Sequence, residues 1–204
     1  SRRRWKKSSP SSAIWTGTGT GSTLPWSTGS NWAQSQPPYP GVNCALEVLT
    51  GVPVAAGDHV SSQNLANPFT TQRLTLAGSG VEGSVFRMQG NPLAFVSNGA
   101  GTPSVVLVAT GPLVHRVEVP VQLGGNASVS GDGDAAFEFS APWSGSAGLV
   151  KTGASRLTLS GSNSYTGFTD IQSGSVRASH ATALGSSGTG TTVQTLFQNG
   201  AGNE

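Results

Sequence analysis

Short runs of alternating apolar and polar residues recur along most of the chain. The longest run extends from Leu113 to Leu123, where every odd position except His115 is Leu or Val, and the even positions include Arg116 and Glu118. A period of two is typical of a β-strand with one buried face, so we predict one strand over 113–123. Shorter runs carry two apolar residues two positions apart, namely Leu74 and Leu76, Leu93 and Phe95, Phe137 and Phe139, and Leu157 and Leu159.

Clusters of Gly, Ser, Asn and Asp separate these runs. Glycine accounts for 29 of the 204 residues and charged residues for only 10%. Evenly spaced short strands fit either a sandwich or barrel, or a solenoid. Asn-Gly and Asp-Gly hairpin turns are nearly absent, and corners of small residues suit a chain that keeps coiling in one direction. The pattern therefore predicts an all-β fold and favours a β-solenoid.

The composition divides the chain into three segments. Residues 1–11 form a basic arm, residues 12–44 an irregular cap rich in Trp, Gly and Pro, and residues 45–204 the solenoid. The chain begins with Ser1 and has no apolar signal core, so we expect either a removed leader or a piece of a longer protein. The longest apolar run, Val105 to Ala109, is too short to span a membrane, and no membrane insertion is expected.

Positive charge is concentrated in the arm. Five of the eleven Lys and Arg residues lie there, so residues 8–204 carry six positive charges against nine negative ones. Because the body has no basic stripe, we do not expect nucleic acid as a partner. We expect instead that the arm docks on an acidic patch of a second copy and supports a homo-oligomer or filament. The residues assigned to this self-association are Arg2, Arg3, Arg4, Trp5, Lys6 and Lys7.

Residues 147–184 contain Gly, Leu, Lys, Asn and Tyr in a specific order. Gly148-Leu149-Val150-Lys151-Thr152-Gly153 is followed by Leu157-Thr158-Leu159-Ser160-Gly161-Ser162-Asn163-Ser164-Tyr165-Thr166-Gly167, and then by Thr169-Asp170-Ile171-Gln172-Ser173-Gly174-Ser175-Val176 and Ala183-Leu184-Gly185. This order resembles the autotransporter-associated β-strand repeat. Ser155 and Phe168 depart from it, because that family prefers glycine at both positions.

The resemblance implies a right-handed parallel β-helix in the exported passenger part of a large bacterial surface protein. It also implies a secreted or cell-surface location. The aliphatic side chains of the repeat would stack in the interior, each contributing roughly 1.5–3 kcal/mol, while its glycines occupy corners. The structural residues of the repeat are then Leu149, Lys151, Gly153, Leu157, Leu159, Gly161, Asn163, Tyr165, Gly167, Ile171, Gly174 and Val176.

The sequence contains no recognisable catalytic motif. His59, His115 and His180 lack the spacing to Cys, Asp or Glu that a metal site needs, so we expect ordinary surface or strand positions for them. Cys44 cannot form an internal disulfide and has no evident base partner, so we expect an inert thiol. We therefore predict no catalytic residues, no cofactor and no enzyme activity.

One carboxylate cluster leaves an enzymatic alternative open. Asp132, Asp134 and Glu138 would suit a polysaccharide-active β-helix enzyme, and Asp132 and Asp134 are weak candidates for a cation site. Asp-Gly is also ordinary turn chemistry, and we favour a solvated turn at these positions.

The tryptophans of the cap segment leave a second alternative open. Trp15, Trp26 and Trp32 either stack on cell-surface glycans, as in a carbohydrate-binding module, or plug an open end of the solenoid. We favour the plug. The sequence then predicts a non-enzymatic, secreted or cell-surface β-solenoid with a structural or adhesive function, which self-associates into a fibre or forms part of a surface stalk.

Overall fold

The computed structural model describes residues 12–17, 22–49, 51–186 and 190–193. The basic arm lies outside these residues. Helix in the described chain is limited to one 3-10 turn, Gly29–Asn31. No helix in this part of the protein has the length and apolar composition of a membrane span. The strands are β1 (Ser12–Trp15), β2 (Thr23–Pro25), β3 (Ala45–Val48), β4 (Pro53–Val54), β5 (Gly57–Gln63), β6 (Phe69–Thr71), β7 (Arg73–Leu76), β8 (Ser79–Gly80), β9 (Ser84–Gly90), β10 (Leu93–Phe95), β11 (Ser104–Leu107), β12 (Val114–Val117), β13 (Val121–Leu123), β14 (Ala127–Ser130), β15 (Ala136–Phe139), β16 (Trp143–Gly145), β17 (Leu149–Lys151), β18 (Arg156–Leu159), β19 (Thr169–Ile171), β20 (Ser175–Ala178) and β21 (Thr191–Val193).

The strands stack into three parallel sheets that enclose one core. In the described residues the first sheet has the order β1-β3-β7-β11-β14-β17-β19-β21, the second β2-β5-β9-β12-β15-β18-β20, and the third β16-β13-β10-β6. Strands β4 and β8 form a small additional pair. The chain passes from the first sheet to the second and back again, and the four circuits that begin at β3, β7, β11 and β14 also add a strand to the third sheet. The predicted all-β parallel solenoid is confirmed.

The register keeps equivalent side chains in columns that run along the solenoid. In the first sheet Leu46 aligns with Leu74, then with Val105 and Val129. Because successive side chains of a strand point to opposite faces, every second residue enters the core. The four apolar pairs recognised in the sequence all point inward, and each of their side chains is at most 1% exposed.

The single strand predicted over 113–123 is two strands joined by a corner. β12 belongs to the second sheet and β13 to the third, and the chain turns between them at residues 118–120. Pro120 has no N–H to donate to a ladder, which suits a corner better than a strand interior. Buried and less buried residues nevertheless alternate from Leu113 through to Leu123. The prediction of which side chains face inward is correct, while the prediction of one continuous strand is wrong.

The segment over 12–44 is more regular than its composition indicates. Strand β1 pairs with β3 and β2 pairs with β5, so this segment already supplies a strand to each of the first two sheets. After β2 the chain returns to β1 through an antiparallel bridge between Trp32 and Trp15, and Ala33 N donates to Ile14 O. Neither β1 nor β2 contains glycine, and Ile14 and Trp15 favour a strand, although the surrounding segment is rich in Gly, Ser and Pro. The antiparallel return covers the outer edge of β1.

Candidate functional site

The repeat found in the sequence builds two successive coils. Strands β17 and β18 belong to the first of these coils, and β19 and β20 to the second. Leu149, Leu157 and Leu159 are fully buried. Ile171 and Val176 are only partly buried, because within the described chain little more than the short β21 covers this coil. The aliphatic core of the repeat is therefore complete in its first coil and partly open in its second.

Glycines of the repeat lie where neighbouring coils approach too closely for a side chain. Gly153 has a φ of +72°, and a Cβ built on it would lie 2.4 Å from the Gly131 carbonyl oxygen of the preceding coil. A Cβ on Gly167 would lie 2.3 Å from the carbonyl carbon of Ala147. Glycine tolerates both a positive φ and a position that leaves no space for a Cβ. Gly161 and Gly174 approach the backbone of the preceding coil in the same way.

Asn163 joins three coils with one buried side chain. Its Oδ1 accepts a hydrogen bond from Trp143 N at 2.8 Å, and its Nδ2 donates to Ala183 O at 2.6 Å. Two residues later, the Tyr165 hydroxyl lies 2.6 Å from Thr169 Oγ1. Burial raises the pKa of Tyr165. These two polar residues of the repeat are thus occupied by contacts inside the solenoid.

Lys151 places an amine among backbone carbonyls in the interior. Its side chain is fully buried, and Nζ donates to the carbonyl oxygens of Thr152 at 2.6 Å, Gly153 at 2.9 Å and Ser173 at 3.5 Å. Burial lowers the pKa of Lys151, and the charge of Asp132 opposes that shift. Carbonyl partners offset the desolvation of a buried cation. The sequence carried a signal for this position, because Lys151 follows the inward-facing Leu149 by two residues.

Residues 149–178 match the family model described as passenger-associated-transport-repeat. The match confirms the repeat predicted from the sequence, and it falls on strands β17 to β20. It covers 30 of the 204 residues. No curated protein and no solved structure matches the chain. The passenger-associated-transport-repeat is a structural repeat, and its presence indicates a passenger-type segment of an exported protein.

The carboxylates considered for catalysis or cation binding precede the repeat and make separate contacts. Asp132 Oδ1 accepts from the backbone N–H of Ala154 in the following coil at 2.7 Å, and Asp134 Oδ1 from that of Gly111 in the preceding coil at 2.9 Å. Glu138 projects from the outer face of β15 and pairs with an arginine of β12. Within the described ranges, no three His, Cys, Asp or Glu side chains are grouped to hold a metal ion.

An ion-pair network lies on the outer face of the second sheet. Arg87 Nε is 2.9 Å from Asp58 Oδ2, and Arg87 also pairs with Glu118. The hydrogen bond to Asp58 is the chief reason that the pKa of Arg87 is raised. Arg116 Nε lies 3.3 Å from Glu138 Oε2 in a separate pair on the same face. Such partly exposed pairs contribute little to stability, and they link neighbouring coils along this face.

Two of the three histidines lie in the core. His59 and His115 face inward from β5 and β12, whereas His180 is exposed. Cys44 is buried too, and burial raises the pKa of its thiol to about 11, against a smaller lowering by Thr71. A thiol that remains protonated at neutral pH is a weak nucleophile.

The three tryptophans of the segment 12–44 form a buried aromatic cluster at the first coil. The Trp32 ring centroid lies 5.0 Å from that of Trp15 and 5.4 Å from that of Trp26, in edge-to-face arrangements. Trp26 also packs edge-to-face on Phe69 of β6. Each of the three side chains is at most 2% exposed. None of them presents an open face on which a sugar ring would stack.

Tyr39 is the aromatic residue that this segment exposes. It is 83% exposed and stands in the run Pro37-Pro38-Tyr39-Pro40. Two grooves of about 290 Å³ and 310 Å³ adjoin it, the first lined by prolines and Leu65 and the second also by Gln34 and Gln36. Among the described residues, neither groove is lined by a charged side chain.

Proposed function

We propose that this chain is a non-enzymatic structural segment of an exported passenger-type protein, in which the solenoid acts as a stiff scaffold at the cell surface. The observation that carries the proposal is that polar side chains of the solenoid are hydrogen-bonded to its own backbone. Asn163, Lys151 and Asp132 all bond backbone groups of their own or adjacent coils. These contacts support a structural role, because the polar side chains hold the coils together and are not directed at a ligand.

The structure of the first coil supports a stalk segment rather than a fibre in which the end of one copy stacks on the end of the next. The antiparallel return through Trp32 and Ala33 occupies the edge of β1 that a further parallel strand would need. Pro25 in β2 lacks a backbone N–H at the corresponding edge of the second sheet. Association of copies would then depend on the basic arm, through contacts with the mildly acidic body.

Light scattering of the full chain beside a chain lacking residues 1–9 tests this assembly. If the arm joins copies, the full chain gives a mass above 20.6 kDa that falls towards one copy on deletion of the arm. High salt should have the same effect as the deletion, because it screens exposed charges. Equal masses would exclude the arm as connector. Filaments that persist without the arm in negative-stain electron microscopy would contradict the closed first coil.

An activity screen tests the non-enzymatic part of the proposal. Purified chain is incubated with acidic and neutral polysaccharides, with and without calcium, and new reducing or unsaturated ends are measured. We expect no turnover. Turnover that disappears in Asp132→Asn or Glu138→Gln would establish the carbohydrate-active enzyme instead.

A glycan-binding surface at Tyr39 is the second candidate function. The observation in its favour is an exposed ring, held by prolines, beside uncharged grooves. A rigid aromatic ring with nearby amides suits a neutral sugar. Binding to a glycan array should then be lost in Tyr39→Ala and retained in Phe168→Ala, which removes another exposed aromatic ring. Binding that survives both substitutions would contradict a site at Tyr39.

A further inference from the structure

One column of the core alternates histidine and phenylalanine. His59 of β5 aligns with Phe86 of β9, Phe86 with His115 of β12, and His115 with Phe137 of β15. The column continues with Leu157 in the repeat. His59 is 1% exposed and His115 is fully buried. Two imidazoles therefore lie in an otherwise apolar column that runs through β5, β9, β12 and β15.

The surroundings of His115 fix it in one neutral form. Its ring centroid lies 5.5 Å from that of Phe86 and 5.7 Å from that of Phe137, with the second pair nearly parallel at 12°. Nε2 is 2.9 Å from Ala77 O, and since a carbonyl can only accept, Nε2 carries the hydrogen. Nδ1 is buried and has no hydrogen-bond partner among the described residues. A proton added at Nδ1 would place an unpaired N–H and a positive charge between two phenyl rings.

No charged side chain of the adjoining strands in the described chain faces this ring. Arg87 of β9, Arg116 of β12 and Glu138 of β15 occupy outward positions, and Glu118 follows β12 on the same outer face. Their ion pairs lie on the opposite side of the second sheet from His115. Across the core, the inward residues of β7, β10, β11 and β13 are apolar, namely Leu74, Leu76, Leu93, Phe95, Val105, Leu107, Val121 and Leu123.

Protonation of His115 is therefore linked to unfolding. Burial lowers the pKa of His115 from its ordinary 6.5 to about 4, against a small opposing contribution from the hydrogen bond to Ala77. Above pH 6.5 neither the folded nor the unfolded chain binds the proton, and stability is complete. As the pH falls from 6.5 towards 4, the unfolded chain binds the proton and the folded chain does not, so stability is lost.

We propose that His115 makes the middle coils of the solenoid, which contain β9, β12 and β15, an acid-sensitive segment that opens before the first coil of the repeat, which contains β17 and β18. Each coil of a solenoid contacts only its neighbours, so one part can open while the rest stays paired.

Denaturant unfolding at pH 8 and pH 5 tests the linkage in three proteins. For the wild type, the contribution of His115 raises the unfolding equilibrium constant about 30-fold between these pH values, given pKa values of 6.5 and about 4. His115→Phe, which continues the phenyl column without a titrating group, should lack this increase. His180→Gln removes an exposed histidine and should retain it. A His115→Phe protein with the same pH dependence as the wild type would overturn the proposal.

Two measurements on the wild type keep the proposal testable if His115→Phe does not fold. Histidine side-chain NMR should show that His115 stays neutral in the folded chain at pH 5, whereas titration near 6.5 would contradict the proposal. Hydrogen exchange at pH 5, corrected for intrinsic rates, should show loss of protection in β9, β12 and β15 before β17 and β18. Uniform loss over all coils would exclude an acid-sensitive middle segment.

Discussion

A single buried amide contributes to the contact between three coils. Asn163 satisfies a backbone N–H in the coil before it and a backbone carbonyl in the coil after it. Both groups belong to the interior, where an unpaired polar group is costly.

Asn163→Ala should lower the free energy of unfolding by about 2–4 kcal/mol, because it leaves Trp143 N and Ala183 O without their partner. Urea or guanidinium unfolding measures the change. The neighbouring Ser162→Ala, at an exposed position, is the control and should change stability by no more than about 0.5 kcal/mol. Equal effects of the two substitutions would show that the amide contributes no more than a surface hydroxyl.

Individual residues differ in how far the sequence predicts their position. Alternation predicts the burial of Leu157 and Leu159, because side chains two residues apart in a strand point to the same face and apolar ones favour the core. Lys151 and His115 have the same spacing, yet their polarity argues against a buried position. Three carbonyl oxygens around Lys151 Nζ and one beside His115 Nε2 make those positions tolerable. These partners come from corners between strands, whose geometry is not encoded in a local pattern.

At the scale of strands and corners, close approach of neighbouring coils limits the residues that fit. Gly153 combines a left-handed φ with a Cβ position 2.4 Å from the Gly131 carbonyl oxygen. Gly99 also has a positive φ, of +82°, but no atom lies within 4 Å of its Cβ position. Gly41 likewise has open space, without a positive φ. The three positions separate backbone strain from steric overlap.

Alanine substitutions at these glycines should destabilise in a fixed order. Gly41→Ala should be nearly neutral, Gly99→Ala should cost about 1 kcal/mol from the left-handed backbone alone, and Gly153→Ala about 3 kcal/mol or more because the coils must also separate. Denaturant midpoints and m-values measure the series. A Gly153→Ala protein no less stable than Gly99→Ala would show that coil spacing yields easily at this corner.

Strands and corners are predicted unequally well from sequence. Inward and outward positions alternate without interruption from Leu113 to Leu123, although the chain leaves one sheet for another at Pro120. Alternation therefore predicts which side chains are buried but not where a sheet ends, because the three-residue corner 118–120 leaves Val117 and Val121 both inward and so preserves the period. Pro120 was the local signal for the corner. The strands of residues 12–44 had no such signal, since they are short and stand among Gly, Ser, Thr and Pro, and pairing with later coils decides their structure.

Across the whole molecule, the two ends of the described solenoid differ. At the first coil, Trp15, Trp26 and Trp32 fill the core, and an antiparallel segment covers the edge of β1. At the far end, Ile171 and Val176 remain partly exposed. Because coils stabilise one another only through nearest neighbours, a filled first coil also protects the coils that follow. The cluster thus has a role that an equally large side chain in mid-solenoid does not share.

Trp26→Ala and Trp143→Ala form a matched pair for this role. Each substitution removes a tryptophan that is 1% exposed, and each should lower the free energy of unfolding by about 3–5 kcal/mol. Trp26 lies in the first coil, so its loss should also expose the end of the core and cause association that increases with protein concentration. Trp143 packs on Phe139 within the stack, and its loss should leave the protein as dispersed as the wild type.

Light scattering over a concentration series, at a temperature where both variants are folded, distinguishes the two. Association of both variants to the same extent would mean that lost stability, rather than an opened end, drives it. Dispersed behaviour of both would mean that the antiparallel segment alone is enough to close the first coil.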